Sequence, residues 1–367
     1  MTKKPLVLFC INKLGSGSGL GGAERLVVDD INEMISQGHI VRLLTLKKES
    51  EFSMSKELRL PKEDWTVIDF GSLFNVSDWI KVYKYVKREK PDIVFTHLWF
   101  TNTIVRVVCK IAGIKDIFSF EHNIYDTVKT KKMYFVDKFL QSWSRKIVAV
   151  SGAVKKSLVE HGIKEERIVV INNGIDIHKY QVNPDPSLRE SLGIPKGFFV
   201  FLSIGRLIEQ KGMDILIEAF SKLSESSFLL IAGQGKEEKK LKKLAQNLKV
   251  KERINFLAIR KDIPELLAAS DAFVLASRYE GQGIVILEAM AASRPIVVSD
   301  FDAVSDMITS GEEGLIVKRE NPIELSFAMD KLMSDRNLRE SLAQKARKKV
   351  ENFSIQNHVN KILSLLP

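Results

Sequence analysis

The stretch AFVLASRYEGQGIVILEAMAASRPIVVSD (272–300) sets one apolar run, AFVLAS (272–277), before another, PIVVSD (295–300). Between them lie a glycine-flanked loop and a helical stretch, GIVILEAMAAS (283–293). Continuous apolar strands joined through a helix indicate a parallel sheet covered on both faces. Working outward, the same alternation runs from FFVFLSIG (198–205) through MDILIEAFSKL (213–223), SSFLLIAG (226–233), RINFLA (253–258) and DIPELLAAS (262–270) to GLIVK (314–318). An earlier series opens the chain: PLVLFCI (5–11), ERLVVDDINEMISQG (24–38), HIVRLLTL (39–46), WIKVYKYVKREK (79–90), PDIVFTH (91–97), NTIVRVVCKIAG (102–113), DIFSFEH (116–122) and KIVAVS (146–151). The segment between the two series, NNGIDIHKYQVNPDPSLRES (172–191), is polar and has no periodicity, so it reads as a connection. The sequence therefore predicts an α/β protein of two doubly wound parallel-sheet domains, 1–180 and 181–353, facing each other across a cleft. SIQNHVNKILSLLP (354–367) is a separate amphipathic helix, expected to cross back to the first domain. Ligands of such sheets bind at the carboxyl ends of the strands.

Bulk composition narrows the function. The 367 residues carry 45% apolar and 28% charged side chains, which excludes disorder for most of the chain. Two cysteines, Cys10 and Cys109, lie in apolar runs; they can form neither a four-thiolate zinc site nor a disulfide framework, which fits a reducing compartment. The first apolar run is too short for a secretory core, and no run reaches the ~20 residues of a membrane span. A cytoplasmic protein is expected. Its net charge of +10 has three readings: nucleic acid, an anionic membrane surface or a phosphorylated substrate.

Four motifs carry chemistry. GSGSGLGGAER (15–25), with Gly21 and Gly22 at its end, opens a helix whose free N–H groups favour anions. It is neither a dinucleotide fingerprint nor a Walker loop, and alone it is equally a plain loop. In SIGRLIEQKG (203–212), Arg206 and Lys211 follow a buried strand, where two fixed cations suit a diphosphate; a random pair of this kind is more often solvated. In the 277–300 stretch, Glu280 and Glu288 are eight positions apart across a helix start: with the helix beginning near Gly283, Glu280 sits in the loop before it and Glu288 lies about 7.5 Å along the axis. The backbone N–H groups of Gly283, Ile284 and Val285 lie between them at the positive end of the helix. Hydroxyl-binding, phosphate-binding and again hydroxyl-binding groups match a nucleotide-sugar. His122, in FSFEHN (118–123), ends a buried strand of the first domain; a lone histidine is more often structural, and its position moves it toward function. DFD (300–302) is read as a chance acidic match, not a metal site.

Together these residues resemble the retaining glycosyltransferases of family 4, which have the GT-B fold. The resemblance covers nearly the whole chain, and EGxGxxxxE at 280–288 followed by EAMAAS–RPIVVSD is its most specific part. The resemblance implies that Arg206 and Lys211 bind the donor diphosphate, Glu280 the transferred sugar and Glu288 the ribose. It gives phosphate contacts to Gly283, Ile284 and Val285, and places Gly21 and Gly22 beside diphosphate and acceptor. His122 falls beside the reacting sugar, and the base lies against Gly233–Gly235 and Ala258–Ile263. No metal or other cofactor is implied, since the cations and the helix end face the charge that grows on the leaving diphosphate. Gln282, Ser293 and Ala258 depart from the usual phenylalanine, glycine and glycine; none of these changes removes a charged group.

The positive charge is lopsided. Residues 1–180 hold 29 Lys/Arg against 21 Asp/Glu, and 181–367 hold 27 against 25. The excess falls on the domain that the resemblance makes the acceptor site. Segment 128–146, VKTKKMYFVDKFLQSWSRK, mixes six basic residues with aromatics, so Lys129, Lys131 and Lys132 are expected to touch an anionic membrane; a solvated helix with buried aromatics reads equally well. The expected activity is transfer of a hexose-type sugar, with UDP as the favoured carrier, to a lipid-linked saccharide in cell-surface polysaccharide assembly at the inner face of the membrane. A soluble saccharide acceptor and a non-catalytic nucleotide-sugar binder are the alternatives. No nucleic-acid motif is present.

Overall fold

The apolar runs become strands buried along most of their length. In the computed structural model, which describes residues 4–15, 21–49, 53–124 and 129–366, seven parallel strands form one sheet: Leu6–Ile11 (β1), Ile40–Thr45 (β2), Trp65–Val67 (β3), Ile93–His97 (β4), Asp116–Glu121 (β5), Lys146–Ala149 (β6) and Ile168–Val170 (β7). A second sheet has six: Phe199–Ile204 (β8), Ser227–Ala232 (β9), Ile254–Phe256 (β10), Ala272–Leu275 (β11), Ile296–Ser299 (β12) and Leu315–Val317 (β13). The orders are β3-β2-β1-β4-β5-β6-β7 and β10-β9-β8-β11-β12-β13. Each is doubly wound, with its topological switch between the first and fourth strands, where such sheets bind ligands beyond the carboxyl ends. The chain is thus α/β with two parallel-sheet units, as the alternation predicts.

One unit comprises Met1–Gly174 and Ile355–Pro367; the other is Ile175–Ser354. The first unit ends at Gly174 rather than at the expected residue 180. The physical reason is local: Ile177–Tyr180 forms a 3₁₀ turn whose Ile177 and Tyr180 are buried against helices of the second unit, and the Tyr180 hydroxyl donates to Glu288 Oε1 at 2.7 Å. The C-terminal helix Ile355–Leu363 belongs to the first unit. It sets Ile355, Val359 and Ile362 against the apolar face of helix Gly22–Ser36, formed by Leu26, Val27, Ile31 and Met34. His358 on that helix faces Asn172 O at 2.7 Å through Nδ1, and its Nε2 lies 3.3 Å from Oδ1 of buried Asp30.

Cys10 and Cys109 are free and fully buried. Burial pushes the Cys109 thiol up to about 12, so neither is a nucleophile at neutral pH. No helix among the described residues is long and apolar enough to cross a membrane.

Candidate active site

In the second unit, the turn after β8 and the turn after β11 carry the expected cations and carboxylates to one edge of the sheet. Arg206 is exposed just beyond β8. Lys211 ends the 3₁₀ turn Glu209–Lys211, and its Nζ donates to Glu280 Oε1 at 2.5 Å. The Ser277 hydroxyl donates to the same oxygen at 2.6 Å. Glu280 is only 6% exposed, so its carboxylate is held by a cation and a hydroxyl rather than by water. The pair is built from residues 69 positions apart.

Both turns are braced by residues that the sequence reading passed over. Arg278 forks onto Asp214 with two bonds of 3.0 and 2.9 Å and reaches Glu320 at 3.0 Å. Its backbone N–H donates to Gln210 O, and the Gln210 side chain returns to Tyr279 O at 3.0 Å. Arg278 was visible beside the motif, but nothing in the sequence marked Asp214 as its partner.

Gly283 stands at φ +86 as the N-cap of helix Ile284–Ala291. The left-handed turn there suits glycine. It starts the helix so abruptly that the first N–H groups face outward, without intrahelical acceptors. Ile284 and Val285 are half-buried at this end. Glu288, one turn further on, is 8% exposed and accepts the Tyr180 hydroxyl bond. Tyr180 is thus another residue that sequence reasoning missed, because it lies in the polar, non-periodic connecting segment.

Gly233 and Gly235 serve a packing purpose: a Cβ at either would come within 2.0 and 2.3 Å of the carbonyl oxygens of Gly205 and Leu207. The turn after β9 therefore lies directly on the Arg206 turn, joined by Leu207 N to Gln234 O at 3.0 Å. Asp300 and Asp302 are occupied by Arg319, at 3.1 and 2.7 Å. No cluster of three or more metal-ligating side chains occurs among the described residues.

In the first unit, His122 sits one residue beyond β5, half-buried, with Nε2 3.1 Å from Nδ1 of His97 at the end of β4. Burial, with His358 adding to it, lowers His122 to about 3, so the ring is neutral at physiological pH. Gly21 precedes helix Gly22–Ser36, and Gly22 is its exposed first residue. Gly17 and Gly19 of the same loop lie outside the described residues.

Lys129 requires a correction. It was expected on a membrane-facing surface, yet its side chain is only 3% exposed. Its Nζ bridges Glu121 Oε2 at 2.9 Å and Asp137 Oδ2 at 2.8 Å, in a buried network completed by Arg106. Two carboxylates inside the unit attract the lysine more strongly than its basic sequence neighbourhood suggests. Lys131 and Lys132 are exposed on helix Lys131–Leu140. That helix also exposes Phe135 by 73% and Phe139 by 65%, so these two aromatics are not core residues.

The comparisons with known proteins bear on the family and the fold. Residues 20–179 match the family described as Glycosyltransferase Family 4, and residues 184–349 the family described as Glycosyl transferases group 1. The chain is 30% identical over 301 residues to the UDP-Gal:alpha-D-GlcNAc-diphosphoundecaprenol alpha-1,3-galactosyltransferase of Escherichia coli, covering 78% of each chain. It is 27% identical over 303 residues to the capsular polysaccharide biosynthesis glycosyltransferase CapM of Staphylococcus aureus, covering 78% of this chain and 80% of that one. Its fold is shared with Anabaena HepE, solved in complex with UDP and glucose, at a TM-score of 0.86, 23% identity and 99% coverage of both chains.

Proposed function

Because this chain belongs to glycosyltransferase family 4 and has its GT-B fold, we propose that it moves a hexose-type sugar from a UDP-sugar to a membrane lipid-linked saccharide. The observation that carries the donor half is the Lys211–Glu280–Ser277 cluster beside the helix end at Gly283. In this reading Arg206, Lys211 and the N–H groups of Gly283, Ile284 and Val285 take the diphosphate, Glu280 the sugar and Glu288 the ribose. The turns at Gly233–Gly235 and Ala258–Ile263 take the base. In the first unit, Gly21 and Gly22 lie toward the diphosphate and acceptor, and His122 touches the sugar.

The chemistry follows from charge. The acceptor hydroxyl oxygen attacks the anomeric carbon on the face from which the diphosphate departs, and its proton passes to a departing phosphate oxygen. Arg206, Lys211 and the helix end offset the negative charge that develops, which spares the reaction a metal ion. The Escherichia coli relative, whose name specifies UDP-Gal and a diphosphoundecaprenol acceptor, supports both halves. A thermal-shift screen tests the donor: UDP at 100-fold excess over its Kd is expected to stabilise the protein by ~2.7 kcal/mol. Stabilisation by GDP or ADP with none by UDP would replace the assigned carrier.

The acceptor half rests on the helix Lys131–Leu140, where exposed Phe135 and Phe139 stand among exposed Lys131, Lys132 and Lys138. Apolar rings ringed by cations suit the boundary of an anionic bilayer, at the inner face of the membrane. Substituting Lys131 and Lys132 with alanine is expected to weaken sedimentation with phosphatidylglycerol vesicles roughly 30-fold, at ~1 kcal/mol per lysine. Full activity on a soluble saccharide, with no vesicle binding at any salt concentration, would favour the soluble-acceptor reading.

A further inference from the structure

His97 is the least expected residue beside His122. It is fully buried at the carboxyl end of β4, with its ring centroid 4.5 Å from that of Phe120 and 6.0 Å from that of Phe9, nearly parallel to both. Of its polar atoms, Nδ1 meets His122 Nε2 at 3.1 Å, and buried Nε2 has no hydrogen-bond partner among the described residues. The next residue, Leu98, is held at φ 70 and ψ 147, a region that side chains other than glycine avoid. Leu98 O nevertheless accepts Asn102 N at 2.8 Å, so the turn that aims His97 is fixed by the helix Trp99–Ala112 behind it.

This geometry decides where the protons are. A buried N–H without an acceptor is costlier than a buried lone pair without a donor. The His97 proton therefore sits on Nδ1 and is donated to His122 Nε2. His122 must then carry its own proton on Nδ1, which has no hydrogen-bond partner among the described residues. We propose that His97 is a positioning residue that fixes His122 as a neutral Nδ1–H tautomer, making His122 a hydrogen-bond donor to a ligand oxygen rather than a proton acceptor. Both rings are held below the ordinary imidazole range, by burial first, which agrees with the neutral pair.

The inference rests on His122 facing the sugar or acceptor, and the test separates the two. Histidine-selective ¹⁵N labelling reads the tautomers of the six histidines directly, with His122 assigned from the His122→Gln variant. An Nδ1–H His122 is expected in the native protein. His97→Phe keeps the ring stack but removes the donor. It should give mixed His122 tautomers and lower kcat about 10-fold, the scale of one neutral hydrogen bond, with donor KM unchanged. His97→Asn, whose amide N–H can take the place of Nδ1–H, should recover both signals. An Nε2–H His122 in the native protein, or an unaltered His122 spectrum in His97→Phe, overturns the proposal. Normal turnover in His122→Ala would instead remove His122 from the site and overturn the catalytic half, leaving the tautomer result standing.

Discussion

Replacing Lys211 with alanine is expected to lower sugar transfer roughly 10²–10³-fold, the scale seen when one group facing a developing oxyanion is removed. Arg206→Ala should cost a similar factor, because the proposed function sets both cations on the same leaving diphosphate. The structure predicts that the two variants differ in stability. Arg206 is exposed, so its loss leaves the fold intact. Lys211 is the cation on the buried Glu280 carboxylate, and its removal leaves Oε1 with the Ser277 hydroxyl but no charge partner. An unpaired buried group of this kind costs about 1–3 kcal/mol. Steady-state kinetics and denaturant midpoints on both variants make the comparison. Near-normal turnover in both would remove the diphosphate role. A fully stable Lys211→Ala would show that the Lys211–Glu280 pair is not structural.

Much of this was legible in the sequence, and the exceptions have physical causes. Parallel strands buried on both faces leave continuous apolar runs, so β1, β4, β5, β8, β9, β11 and β12 could be read directly. β3 and β7, the three-residue edge strands WTV and IVV, were not named, although β10 and β13, edge strands of the same length, were found within RINFLA and GLIVK. Helix Arg336–Lys349 also left little trace, because only Leu342 and Ala346 of its fourteen residues are buried. The motif residues could be named singly, but their meeting could not. Lys211 and Glu280 join through two separate strand ends, and His97 reached His122 only through adjacent strands. The two departures from glycine acquire a reason here. Ala258 at φ 54 and Ser293 at φ 55 occupy left-handed positions, so glycine is the unstrained choice and these residues carry the strain.

Lys129→Met is expected to destabilise the first unit by about 3–5 kcal/mol, the cost of removing one partner from a buried ionic group. For a unit of this size that is a fall of roughly 6–20 °C in Tm. Lys129 lies between Glu121 and Asp137, while Arg106 Nη2 holds Asp137 Oδ1 at 2.8 Å and Asn102 Nδ2 holds Glu121 Oε1 at 3.0 Å. Without the lysine, two carboxylates share one guanidinium in a space closed to water. Burial already raises Glu121, and Lys129 is the main influence opposing that rise. A carboxyl whose folded pKa lies above its unfolded value binds its proton more tightly when folded, so acid relieves the cost. The destabilisation should therefore be fully developed at neutral pH. It should shrink as the pH falls through the raised Glu121 value, with the relief complete below about 4.5, the ordinary value. Adding Glu121→Gln to Lys129→Met should return part of the loss at neutral pH, since Asp137 then keeps a matched partner in Arg106. Equilibrium unfolding of the two variants between pH 4 and 8 tests this, and a loss independent of pH and unrelieved by Glu121→Gln would mean that Lys129 contributes by filling space rather than by balancing charge.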